Sequence, residues 1–253
     1  MSFLSVDKTL AKAKSYAKRG EIQEARKSCE MLLKSYPKNV RIRQFIASLE
    51  NTKSLNEISQ TLVDLYNLAK YEEIVRQSEQ YLNFHPRTCF VWNMYGAACE
   101  ELKNIDEAIK AYKKAIFLNP NNHEYYNNLG NAFEKKEDFL KSISYYKKSL
   151  NLKPNYVQAL FNLGNVLKKN GQTDQAINAF KKTLLVNPNY VEALNNMGTL
   201  LIKENRIDEA MDMFTRALNI DPKCSKIYAN FASVLNHKGK IDDAIKAYQK
   251  ALS

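Results

Sequence analysis

The chain has 253 residues, 45% hydrophobic and 26% charged, with a net charge of +11, which fits a globular protein with a sizeable core and excludes a disordered or fibrous one. Seven glycines and six prolines are too few turn formers for an all-β protein with many hairpins, so helices are favoured. No apolar run reaches the roughly 18 residues of a membrane span, and MSFLSVDKTLAKAK has no apolar stretch after a basic start, so neither a membrane partner nor a secretory signal is expected.

Cys29, Cys89, Cys99 and Cys224 form no CxxC pair, and His85, His123 and His237 are scattered. Reduced thiols in a cytoplasmic protein are expected, with no disulfide frame, no metal and no cofactor.

Prolines stand at 37, 86, 120, 154, 188 and 222, and from Pro86 every gap is 34 residues. A fixed period of that length is the mark of a repeat architecture. The repeats fall at 6–39, 55–88, 89–122, 123–156, 157–190 and 191–224, with a shortened one at 225–253.

The first, 6–39, keeps Gly20, Ala25 and Pro37 but has Lys12 at its seventh position. Residues 1–54 hold 12 Lys and Arg against 5 Asp and Glu. The cluster Lys8, Lys12, Lys14, Lys18 and Arg19 reads either as solvated surface or as a contact for an acidic partner. Residues 39–51 break the register with an amphipathic pattern (Ile42, Phe45, Ile46, Leu49), so an unpaired helix is expected. Residues 1–54 are therefore read as a degenerate helix pair plus an orphan helix, and 55–253 as the repeat array. Repeat 55–88 departs from the others, with Leu62, Ile74 and Ser78 at positions where small, small and aromatic residues recur later.

In the five regular repeats, position 4 is Trp92, Tyr126, Leu160, Leu194 and Tyr228, and position 7 is Tyr95, Leu129, Leu163, Met197 and Phe231. Position 8 is Gly96, Gly130, Gly164, Gly198 and Ala232, and position 20 is Ala108, Ser142, Ala176, Ala210 and Ala244. Position 24 is Tyr112, Tyr146, Phe180, Phe214 and Tyr248. At 100° per residue, positions 4, 7, 8 and 11 share one face, which predicts an amphipathic helix A. Positions 17, 20, 21, 24, 27 and 28 predict a broader apolar face on helix B. Small residues at 8 and 20 let the two helices approach, and the aromatic at 24 fills the space beside them. Gly20, Gly171 and Gly239 mark the corner between A and B, where a left-handed residue ends the first helix. One pair cannot bury both faces, so it must stack on its neighbours. The last repeat stops after helix B, so Ile245, Leu252 and the edge of Tyr248 are expected to face solvent and could support end-to-end self-association.

Trp92, Tyr95, Gly96, Ala108, Tyr112 and Pro120 resemble the tetratricopeptide signature in identity and spacing. The phrases YNNLGNAFEK, LFNLGNVLKK and LNNMGTLLIK are similar to the repeat segments of O-GlcNAc transferase and of bacterial repeat-bearing transferases. The resemblance implies an all-α fold, a right-handed superhelical solenoid of antiparallel helix pairs.

Positions 2, 5, 6, 9, 12 and 13 lie opposite the core face of helix A, and in the tetratricopeptide family that side lines a concave groove. Position 6 is Asn128, Asn162, Asn196 and Asn230; position 5 adds Asn93, Asn127 and Asn195; position 9 adds Asn131, Asn165, Thr199 and Ser233. An amide carries donors and an acceptor together, so a row of them can grip the backbone of an extended peptide without demanding a sequence. The resemblance to O-GlcNAc transferase implies such an asparagine ladder; the other reading is that asparagine was copied with the repeat and is merely solvated. The four position-6 amides are expected to be exposed, so that their loss leaves folding nearly intact. Lys135, Lys169 and Lys203 share position 13, with Lys168 beside them. They either draw acidic side chains to the groove edge or complement the helix dipole.

A protein-interaction scaffold binding an extended peptide is the function these residues favour, with the substrate-presenting arm of a larger glycosyltransferase or sulfotransferase as the alternative. An RNA-binding solenoid draws on the +11 charge, but the A faces lack an aromatic stacking platform apart from Phe161. The carboxylate clamp of chaperone-binding relatives is missing its cations. No nucleophile elbow, phosphate loop or paired-histidine zinc motif occurs, so catalysis is not expected of this chain.

Overall fold

Each 34-residue repeat folds as two helices joined by a corner, and the corner has one geometry throughout. A computed structural model describes residues 3–50 and 54–252, with the side chains of 3–5, 18, 48 and 50 also set aside. The Lys18 side chain and residue 51 of the orphan segment thus lie outside the described residues. The helices of the first repeats are α1 (Phe3–Lys18), α2 (Ile22–Ser35), α3 (Val40–Glu50), α4 (Leu55–Asn67), α5 (Tyr71–Leu82), α6 (Cys89–Glu101) and α7 (Ile105–Leu118). Then come α8 (His123–Lys135), α9 (Phe139–Leu152), α10 (Val157–Lys169), α11 (Thr173–Val186), α12 (Val191–Lys203), α13 (Ile207–Ile220), α14 (Ser225–His237) and α15 (Ile241–Leu252).

No strand occurs among the described residues, and the fold is an all-α solenoid of helix pairs. Contacts divide it into two compact units, Met1–Asn128 and Leu129–Ser253, with the division inside α8. Within the first, α1 packs on α2, α2 on α3, α4 on α5, α5 on α6 and α6 on α7. Within the second, each helix from α9 to α15 packs on the next.

Position 15 of all seven repeats has positive φ: Gly20, Gly171 and Gly239 at 72–80°, and Ala69, Lys103, Glu137 and Asn205 at 54–63°. One residue later a backbone N–H reaches back five residues, as in Gln172 to the Leu167 carbonyl (2.9 Å), Asp138 to Phe133 (3.0 Å) and Lys70 to Leu65 (2.9 Å). This is the glycine-type helix stop, which satisfies carbonyls that the helix end leaves open. The sequence marks it only where glycine occurs, but the irregular repeat 55–88 and the regular repeats with Lys103, Glu137 and Asn205 use it too. A side chain in the left-handed region costs about 1–2 kcal/mol, partly offset by the entropy glycine loses on folding. Glu137→Gly is therefore expected to stabilise the protein by about 0.5–1 kcal/mol, read as a higher urea midpoint; a lower midpoint contradicts this account of the corner.

The small–aromatic pairing sets the distance between helices A and B. A Cβ built on Gly164 would lie 2.5 Å from Cε1 and 2.7 Å from Cδ1 of Phe180. Gly96 meets Tyr112, Gly130 meets Tyr146 and Gly198 meets Phe214 in the same way. The four rings are fully buried. Repeat 55–88 inverts the pair: Leu62 stands at position 8 and Ser78 at position 24, and both are 0% exposed, as is Ile74. The bulk has moved from helix B to helix A, a volume-conserving exchange.

The orphan pattern forms α3, which buries Ile42 and Leu49; Ile42 joins a core with Val6, Leu10, Cys29 and Leu32. Nearby, Lys12 and Arg19 stack over the Tyr16 ring, and Arg19 pairs with Glu21 at 3.0 Å. At α15, Ile245, Tyr248 and Leu252 are exposed, whereas the rings equivalent to Tyr248 in the four preceding repeats are buried.

Candidate functional site

Helices A of successive repeats lie side by side, as the direct packing of α4 on α6 and of α12 on α14 shows. Positions 5, 6 and 9 therefore sit at a boundary between neighbouring helices rather than on a free face. Each position-6 asparagine donates from Nδ2 to an amide oxygen of the preceding repeat. In the second unit Asn162 donates to Asn131 (3.0 Å), Asn196 to Asn165 (2.9 Å) and Asn230 to Asn195 (2.8 Å). In the first unit Asn128 donates to Asn93 (3.0 Å).

This corrects the expectation of fully exposed amides. Asn128, Asn162, Asn196 and Asn230 are half-buried, and Asn127 and Asn195 are buried at 3% and 6% exposure. The cause is the neighbouring helix A, which covers the side of the wheel that a single helix would leave open. Asn93, Asn131, Asn165, Thr199 and Ser233 are also half-buried. The Thr199 hydroxyl donates to the Asn195 carbonyl of its own helix (2.9 Å).

The amide row continues into a second network. The Tyr146 hydroxyl donates to Asn131 Oδ1 (2.7 Å) and contacts Glu134 Oε2 (3.0 Å), while Lys169 Nζ pairs with Glu134 Oε1 at 2.8 Å. In the first unit the buried Tyr112 hydroxyl donates to Glu100 (2.9 Å). Sequence reasoning missed these glutamates at position 12, although a signal for them exists. Glutamate stands there where the tyrosine at position 24 is buried (Glu100 with Tyr112, Glu134 with Tyr146), while Lys168 and Ile202 accompany Phe180 and Phe214, and Asn236 accompanies the exposed Tyr248. A buried hydroxyl needs a partner and a phenyl ring does not.

Lys135, Lys169 and Lys203 are exposed, and Lys168 is half-buried. Burial, and then the charges of Lys226, Lys203 and Lys169, hold the Lys168 ammonium below the usual lysine range. Lys168 and Lys203, near the ends of α10 and α12, and Lys226 at the start of α14 thus form a positive patch, with Lys169 beside Lys168 paired to Glu134. Phe161 offers no open stacking platform: it is half-buried, 4.8 Å from the Tyr190 ring and 5.9 Å from Phe180.

Among the described residues no group of three or more His, Cys, Asp or Glu is placed to hold a metal ion. No helix among them is long and apolar enough to cross a membrane.

Family models described as "Tetratricopeptide repeat" match residues 10–39, 123–156, 145–178, 167–232 and 201–253, and one described as "TPR repeat" matches 96–137. No curated protein matches the sequence significantly. Among solved structures, a crystal structure of MamA is similar at 26% identity and a TM-score of 0.59, over 62% of this chain and 92% of that one. YrrB, described as a TPR protein with an unusual peptide-binding site, is similar at 21% identity and a TM-score of 0.59, over 69% and 90%. PilF of Pseudomonas aeruginosa is similar in fold at 17% identity and a TM-score of 0.69, over 76% and 87%. With its 34-residue period, its helix pairs and these matches along most of its length, the chain belongs to the tetratricopeptide repeat family.

Proposed function

We propose that the chain is a protein-interaction scaffold whose second unit holds an extended polypeptide along its amide-bearing A helices. The observation that carries this reading is the recurrence of interlocked amides: Asn162 on Asn131, Asn196 on Asn165 and Asn230 on Asn195. Each of these bonds uses one of the two N–H groups of its donor. Asn196 and Asn230 thus keep a second N–H and an amide oxygen, whose orientation the inter-repeat bond fixes. Groups held in place before binding lose little entropy on binding, and a peptide backbone presents the complementary N–H and C=O. Asn93 and Asn128 carry the same interlocked amides in the first unit, where Asn127 is buried and donates to Asn128.

The lysines give the bound segment a character. Lys168, Lys169, Lys203 and Lys226 favour aspartate or glutamate side chains beside the amides, with Lys135 and the hydroxyls of Thr199 and Ser233 as further contacts. The same charge raises the question of nucleic acid, and salt separates the two. Titrating the full chain with a blocked peptide of Gly, Ser, Asp and Glu should give saturable binding that weakens modestly with salt; a sequence-matched Lys peptide should not bind this face. Tighter binding of a single-stranded RNA oligomer, with affinity falling steeply between roughly 50 and 200 mM salt, would overturn the peptide reading.

A further inference from the structure

The first unit contains a pocket of about 570 Å³ lined by Glu79, Leu82, Asn83, Pro86, Trp92, Tyr95 and Glu107. Its wall is aromatic. The Trp92 and Tyr95 rings meet edge to face with centroids 6.0 Å apart, and Trp92 Nε1 donates to the Pro86 carbonyl at 2.9 Å, which fixes the indole. Its rim is acidic. Tyr95 donates its hydroxyl hydrogen to Glu79 Oε1 at 3.3 Å, and Glu107 pairs with Lys110 at 2.9 Å.

The pair of carboxylates sets this place apart from the repeats that follow. Position 25, held here by Glu79, is Lys113, Lys147 and Lys181 in the next three repeats. Position 4 is tryptophan only here, and Trp92 is the single tryptophan of the chain. A chain of net charge +11 thus gathers two carboxylates against its largest aromatic surface.

We propose that this pocket docks an arginine side chain of a partner polypeptide, with the guanidinium against Trp92 and Tyr95 and its N–H groups directed to Glu79 and Glu107. Aromatic faces attract cations, and a guanidinium also stacks as a flat plate while its edge bonds carboxylates. The aliphatic stem has Leu82 and Pro86 to lie on. Lys110 is mostly exposed, and an exposed pair of this kind is weak, so an incoming guanidinium can displace it from Glu107. Burial, and then neighbouring groups that include Glu79 and Glu107, pushes the Tyr95 phenol above its usual range, consistent with carboxylate charge close to the ring. The proposal uses none of the amide-row residues and stands or falls separately from that reading.

Because Trp92 is the only tryptophan, its emission reports on this pocket alone. The full chain is titrated with the blocked tripeptides Ac-Gly-Arg-Gly-NH2, Ac-Gly-Nle-Gly-NH2 (Nle, norleucine) and Ac-Gly-Glu-Gly-NH2. A saturable change with the arginine peptide only is expected, weakened by added salt and reduced about tenfold or more in the E79Q/E107Q variant at an unchanged melting temperature. No saturable change with arginine, an equal response to norleucine, or full binding by the folded double variant would overturn the proposal. If the double variant unfolds, E107Q alone and the salt series decide: insensitivity to both would overturn it, and weakening by both would support it.

Discussion

Replacing Gly164 by leucine is expected to destabilise the second unit by about 3 kcal/mol or more, a large fraction of the stability of an ordinary domain. The first side-chain atom alone would stand 2.5–2.9 Å from three carbons of Phe180, a ring that is 0% exposed. Neither partner can yield cheaply. Phe180 sits in the core with Ala176, Leu163 and Leu167, and any retreat of α10 from α11 opens voids along the whole pair. Gly164→Ala is the graded version. Overpacking of roughly 1–3 kcal/mol opposes a helix-propensity gain of about 1 kcal/mol, so a net loss of about 0–2 kcal/mol is expected. Phe180→Leu in the same chain should recover part of that loss, because the two sites share one space and do not add independently. Chemical unfolding followed by circular dichroism measures all three variants. A leucine variant as stable as the wild type would contradict the role given to the small–aromatic pair.

That pair was legible in the sequence because it recurs at one spacing, Gly96 with Tyr112 through Gly198 with Phe214. Where the pattern fails, at Leu62 and Ser78, the structure keeps the summed volume and exchanges its owner. A position-by-position reading registers two departures there and cannot see that they compensate. The corner was legible at Gly20, Gly171 and Gly239 but not at Lys103 or Glu137, since local packing imposes the left-handed backbone on residues that do not favour it. The amides show a different limit. Helical periodicity places Asn162 and Asn196 opposite their own helix's core, which is correct for one helix. It carries no information about the next helix A, and it is that neighbour which half-buries them and supplies Asn131 and Asn165 as acceptors. The pairing spans 31 residues at these two repeats but 35 at Asn230, where Asn195 accepts, because position 9 there is Thr199 and position 5 supplies the amide instead.

The interlocked amides also change what their removal should do. Asn→Ala at positions 162, 196 and 230 deletes three bonds between neighbouring repeats, so the melting temperature should fall modestly rather than stay fixed or rise. Each bond contributes about 0.5–1.5 kcal/mol, partly offset by the better helix propensity of alanine. Binding should suffer more visibly, since the loss of Asn196 and Asn230 also removes their contacts to peptide backbone. Two such contacts amount to roughly 1–3 kcal/mol, or about 5- to 150-fold in affinity. The decisive measurement is calorimetric titration of the blocked Gly, Ser, Asp and Glu peptide into wild type and the triple variant, well below the melting temperature of both. The account predicts saturable binding to the wild type and a loss of at least about fivefold in the folded variant; equal affinity for the two proteins would contradict it.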